Sequence, residues 1–122
     1  MNDPRETLSR IREQSDRATP GPWETDTSGH VLTAGDTPAF VARCADPDES
    51  DAGVPDAEFI AAARTTVPAL LDLADAVLGL ADDLDRDGNA FMSDADPGRA
   101  KAAYALAARI RAAITTALEG IR

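Results

Sequence analysis

The sequence predicts an α+β protein with an N-terminal helix, a small three-stranded antiparallel sheet and a C-terminal antiparallel helical hairpin. Short β-type stretches broken by turn residues are confined to residues 23–44. Apolar residues recur at steps of three and four over residues 67–84 and again over 103–121. The 122 residues suit a single domain over 1–122, with an acidic, mobile linker around 45–55.

The first helix is predicted to begin at Pro4, because proline suits the first helical position when a residue such as Asp3 can cap it. Leu8 and Ile11 lie on one face of this helix. The segment TPGPW, residues 19–23, ends it, since proline has no amide proton and also restricts the residue before it.

Three strands are predicted after that segment, and the turn pairs Ser28-Gly29 and Gly35-Asp36 separate them. The strands are WETD (23–26), HVLTA (30–34) and AFVARC (39–44). Alternation along the strands predicts one apolar face for the sheet. The residues expected on that face are Trp23, Val31, Phe40 and Val41.

The rest of the chain is predicted to be helical. A short helix follows Pro55 with Asp56 as its N-cap, and Pro68 breaks or kinks the path before a longer helix reaches residue 84. A polar link over 85–96 leads to a last helix that begins at Pro97. Two long helices joined in this way form an antiparallel hairpin.

An apolar strip on the last helix predicts a homo-oligomer. The strip is wider than one partner helix buries, and exposed patches of that kind mark interfaces. Its members are Ala103, Ala107, Ile110, Ile114 and Ile121.

Net charge and cysteine content limit the classes of partner and the cellular location that we expect for this chain. A net charge of −10 disfavours direct binding of nucleic acid, although it allows a DNA mimic that occupies a DNA-binding protein. Cys44 is the only cysteine, so no internal disulfide forms and a reducing, cytoplasmic setting is expected. The N-terminus does not resemble a signal peptide, and Asp72 and Asp75 interrupt the longest apolar stretch, so no membrane association is expected.

Catalytic and metal-binding patterns are weak. His30 is the only histidine, no serine lies in a nucleophile elbow, and no phosphate-binding glycine loop occurs, so we expect no enzyme activity and no cofactor. Residues 83–94 match the first half of a calcium-binding loop, with Asp83, Asp85 and Asp87 before a glycine. Asp94 stands where such loops carry a bidentate glutamate, which favours an acidic turn between helices over a metal site.

Two segments carry a family resemblance. TPGPW at Thr19–Trp23 is followed by DAEFIAAARTTVPALL at Asp56–Leu71. This pair resembles a group of small phage and prophage proteins that is common in actinobacterial phages and similar to the Ead-like proteins of lambdoid phages. The likeness covers roughly residues 17–75, and it implies a phage-type accessory protein without catalytic residues, located in the host cytoplasm if phage-encoded.

Two functions remain open for such a non-catalytic binding protein. One is sequestration of a nucleotide-derived immune signal of the host, in which an aromatic ring stacks on the base and arginines hold phosphate. The other is binding to a host or phage protein through the acidic surface. Trp23 fits either a core plug or a stacking surface, and Arg64 fits either an ion pair or a phosphate fork. The candidate ligand-binding residues are Trp23, Arg64, Arg43, Arg99 and Lys101.

Overall fold

The structure, a computed structural model that describes residues 3–44 and 53–121, confirms the α+β fold class. The elements in chain order are α1 (Pro4–Arg17), β1 (Trp23–Thr25), β2 (His30–Thr33), β3 (Phe40–Arg43), α2 (Val54–Ser93) and α3 (Pro97–Leu118). Most of the predicted mobile linker, residues 45–52, lies outside the described residues, and its last two residues already belong to α2. Asp56 therefore lies in the first turn of α2 rather than at its N-cap, which corrects that prediction.

The chain divides into two compact units. The sheet unit comprises Arg12–Leu70, which holds the sheet, the end of α1 and the start of α2. The helical unit comprises Met1–Ile11 and Leu71–Arg122, which holds the start of α1, the rest of α2 and α3.

The sheet has the strand order β1-β2-β3, and both strand pairs are antiparallel. Val31 in the central strand is fully buried and packs with Ala57 and Ala61 of α2. The predicted inward position of Phe40 is wrong, because its side chain is 64% exposed. A bulge in β3 explains the difference: the extra residue Val41 and its neighbour Ala42 both pack on the core, so Phe40 lies on the other face.

The structure shows no break at Pro68, and the predicted link over 85–96 is wrong. α2 is a single helix of 40 residues that continues through both segments, and only residues 94–96 separate it from α3. A proline inside a helix removes one backbone hydrogen bond, at a cost of about 3 kcal/mol, and packing of the flanking turns offsets that cost. The prediction that the last helix begins at Pro97 is confirmed, with Asp96 as its N-cap.

The helical unit is held by a small-residue core and by a charge network. Its buried apolar residues are Leu8, Leu71, Leu78, Ala81, Ala100, Ala103 and Ala107. Ala103 and Ala107 of the predicted α3 strip are therefore buried within the chain, whereas Ile110 and Ile114 are half-buried and Ile121 is 40% exposed. Arg111 lies 2.8 Å from Asp82 and 2.7 Å from Asp85, and Arg5 of α1 lies 2.6 Å from Asp82. The hydrogen bond from Arg111 is the largest cause that lowers the pKa of Asp82.

Candidate functional site

The structure brings together Trp23 and Arg64, two of the predicted ligand-binding residues. The Arg64 guanidinium lies over the indole, 5.7 Å from the ring centroid, in cation–π geometry. Both side chains also donate to the carbonyl of Thr19, from the indole nitrogen at 3.1 Å and from Arg64 Nε at 3.0 Å. A terminal guanidinium nitrogen of Arg64 donates to the Ser15 hydroxyl at 3.0 Å. We call these contacts the Trp23–Arg64 clamp.

Gly21 is part of the same arrangement. A Cβ atom built on Gly21 would lie 2.8 Å from Cγ of Arg64, closer than real side chains approach each other. The glycine therefore lets the TPGPW segment lie directly on the arginine. This contact gives the segment a structural role: it carries Trp23 and the Thr19 carbonyl to the start of α2.

Trp23 has the surroundings of a core residue. It is half-buried and packs against the cluster formed by Val31, Ala57 and Ala61, while Arg64 lies over its ring. The core-plug interpretation therefore accounts for its contacts. An indole face with an arginine already on it is not an open platform for a base, so any ligand at the clamp meets Arg64 first.

The charge of Arg64 is held by neutral partners. Its acceptors are a carbonyl and a hydroxyl, and it forms no ion pair with a described carboxylate. It borders a shallow hollow, open to solvent, that is lined by Gly21, Pro22, Arg64, Thr65 and Pro68. A fixed guanidinium with an unneutralised charge at an accessible surface is suited to bind an anion.

The other predicted ligand residues do not join the clamp. Arg43 ends β3 opposite His30, whereas Trp23 pairs with Thr33 at the other end of β2. Arg99 and Lys101 belong to the helical unit. The guanidinium of Arg99 lies 3.4 Å from Asp96 and over the ring of Phe91, and Lys101 is exposed.

The acidic motif is not a loop. Asp83, Asp85 and Asp87 lie within α2, where alternate residues point in different directions, so they do not converge as they do in a calcium-binding loop. Asp85 is paired with Arg111, and Asp83 with Arg86 at 3.1 Å. Within the described part of the chain, no group of three His, Cys, Asp or Glu side chains is placed to hold a metal ion.

Sequence analysis missed an ordered turn around Asp26. Its carboxylate accepts the backbone amides of Ser28 and His30, at 2.8 and 3.0 Å, and lies 2.8 Å from His30 Nδ1. The hydrogen bond from the His30 amide is the largest cause that lowers the pKa of Asp26. An aspartate two residues before Ser-Gly after a strand is the local signal for such a turn. His30 is the first residue of β2, where the sequence predicts that strand to begin.

Comparisons with known proteins find no family model, no curated protein and no solved structure that matches this chain. A search of the described helices finds none with the length and apolar character to cross a membrane.

Proposed function

We propose that this chain is a non-catalytic accessory binding protein of the phage or prophage type that sequesters a small nucleotide-like ligand in the cytoplasm. The observation that carries the proposal is the state of Arg64. Its guanidinium is fixed by the Thr19 carbonyl, the Ser15 hydroxyl and the Trp23 ring, and none of these neutralises its charge.

This geometry suits a phosphate. Arg64 uses Nε and one terminal nitrogen within the protein, which leaves its second terminal nitrogen without an acceptor among the described residues. Because the side chain is already ordered, binding costs less conformational entropy than it would for a free arginine. Trp23 then acts as the support of the phosphate-binding arginine rather than as the stacking surface.

The two segments that resemble the phage family supply the clamp. Gly21 and Trp23 lie in the first segment, and Arg64 lies in the second. The proposed site therefore uses residues from both of the segments that carry the resemblance.

Replacement of Arg64 by glutamine is expected to remove ligand binding. In a thermal-shift screen of cyclic dinucleotides and ADP-ribose, the ligand that binds should raise the melting temperature of the wild-type protein. Calorimetry with that ligand should show at least tenfold weaker binding to the Arg64→Gln variant. Arg64→Lys should not restore binding, because an ammonium lacks the planar fork.

The exposed Arg109 provides a control, since Arg109→Gln removes the same charge from the helical unit. It should bind like the wild type. The proposal fails if no nucleotide stabilises the wild-type protein, or if Arg109→Gln weakens binding as much as Arg64→Gln does.

A second candidate function is protein binding, including self-association, through α2. Leu73 and Leu80 are 59% and 57% exposed, and the half-buried Val77 and Leu84 continue the same row at steps of three and four. Such spacing aligns side chains along one helix face, as in helices that pair with another helix. Ala74 and Ala76 flank the centre of the row, and Asp72 and Asp83 lie beside it nearer its two ends.

Charged substitutions in this row are expected to abolish self-association. Light scattering of the wild-type protein should give a multiple of the 12.8 kDa chain mass, and the double variant Leu73→Glu/Leu80→Glu should give a single chain. Leu106→Glu, at an exposed leucine of α3, is the matched control and should remain associated. A wild-type monomer at every concentration would exclude self-association and favour a host or phage protein as the partner, with DNA mimicry as the extreme case.

A further inference from the structure

The face of the sheet that points away from the core carries an unusual set of side chains. Val31 is buried, so its neighbours His30 and Leu32 lie on the opposite, outer face of β2. Phe40 pairs with Leu32 and Arg43 pairs with His30 across the β2–β3 ladder. The bulge at residue 41 keeps both β3 side chains on this outer face.

Phe40 and His30 form a preformed aromatic corner. Their ring centroids are 6.1 Å apart with an interplanar angle of 62°, an edge-to-face arrangement. The chain has only three Phe, one Trp and one Tyr. The ring of Phe40 is nevertheless largely exposed. Asp26 contacts Nδ1 of the His30 imidazole, so Nε2 of His30 is the ring nitrogen available to a ligand.

Arg43 adds a positive charge beside this corner. It is exposed and forms no ion pair with a described residue. Its cross-strand partner is two residues from that of Phe40, which places the two positions about 7 Å apart along the sheet. The carboxylate of Asp26 already accepts two amides and contacts the imidazole. Glu24 lies on the same outer face, opposite Leu32, but on β1, the strand farthest from Arg43.

We infer that this outer face, formed by His30, Phe40 and Arg43, binds a planar aromatic ring that carries a phosphate, as in a nucleoside monophosphate. The base stacks on Phe40, His30 Nε2 makes a polar contact with the ligand, and Arg43 holds the phosphate. The separation of Phe40 and Arg43 suits one base and its own phosphate. A single nucleotide is favoured over a nucleic-acid strand, because a strand would meet the net charge of −10.

This site is distinct from the Trp23–Arg64 clamp and goes beyond the function proposed above. The clamp has an anion-binding arginine whose aromatic partner is covered, whereas the outer face has an exposed ring and an exposed arginine. Variants at Phe40 and Arg43 test nucleotide binding at the outer face, and Arg64→Gln tests it at the clamp.

Calorimetry with adenosine monophosphate, adenosine and inorganic phosphate tests the inference on the full chain. Adenosine monophosphate should bind the wild-type protein, and adenosine and phosphate should each bind at least tenfold more weakly. Phe40→Ala should weaken binding of the monophosphate by about tenfold or more, the loss typical of one stacked base. Arg43→Gln should reduce its affinity to that of adenosine.

Matched controls are Phe59→Ala, at another exposed phenylalanine, and Arg109→Gln, at an exposed arginine of the helical unit. Both should bind adenosine monophosphate like the wild type. Absence of binding at millimolar ligand, or equal binding by wild type, Phe40→Ala and Arg43→Gln, would overturn the inference. Loss of binding in Arg64→Gln alone would assign the nucleotide to the clamp, overturn the inference and leave the proposed function standing.

Discussion

Replacement of Leu78 by alanine is expected to lower the free energy of unfolding by about 2–5 kcal/mol. Leu78 is 1% exposed and is the largest fully buried side chain of the helical unit. The other buried residues of that unit are mostly alanines, whose short side chains cannot extend to fill the space that a leucine leaves. Urea denaturation followed by circular dichroism should show a lower midpoint with an unchanged slope.

Leu73→Ala in the same helix is the control for this prediction. Leu73 is exposed, so its truncation should change the free energy of unfolding by less than about 1 kcal/mol in a monomer. Similar losses for the two variants would mean that Leu73 is buried in an assembly, or that Leu78 does not anchor the unit. Repeating the measurement at several protein concentrations separates these two explanations, because only an assembly makes the midpoint depend on concentration.

Local chemistry made the start of the fold predictable. Five parts of the fold lie where the sequence predicts them: α1, the three strands and the start of α3. Each has a proline, a glycine turn or a capping aspartate at its border. The elements that sequence analysis got wrong depend on contacts with distant residues. A tyrosine of α3 covers Gly88, so close that a Cβ there would lie 2.6 Å from its ring, and Arg111 binds Asp85. These contacts are made by a segment that is helical rather than a turn.

The candidate site was predictable in part for the same reason. Trp23 and Arg64 could be selected because one is the only indole and the other lies in a recognisable segment. Their contact through Thr19 and Gly21 spans more than forty residues of sequence, since the Arg64–Thr19 hydrogen bond joins residues 45 apart. The outer-face position of Phe40 depends on one bulged residue, and a bulge reverses the alternation on which the prediction of an inward Phe40 relied.

Replacement of Gly21 by alanine is expected to disrupt the Trp23–Arg64 clamp and to abolish ligand binding there. The new methyl group would lie 2.8 Å from Cγ of Arg64, which is close to the backbone and cannot move without moving the guanidinium. We expect a destabilisation of about 1–3 kcal/mol, the range for overpacking. Chemical denaturation measures the first effect, and calorimetry with the ligand found in the nucleotide screen measures the second.

Gly79→Ala tests whether this effect is specific to the contact. Gly79 lies inside α2, and a methyl group at its Cα would have no neighbouring atom within 4 Å, so alanine there should raise the free energy of unfolding by about 0.5–1 kcal/mol through helix propensity. Arg64→Gln combined with Gly21→Ala completes a double-mutant cycle. If the methyl group acts by displacing Arg64, glutamine can move aside, because it keeps Cγ but lacks the guanidinium hydrogen bonds that fix it. The two losses of stability should then add to more than the loss in the double variant. If the losses of stability are strictly additive, the Gly21→Ala effect arises within the turn of Gly21 itself and does not depend on contact with Arg64.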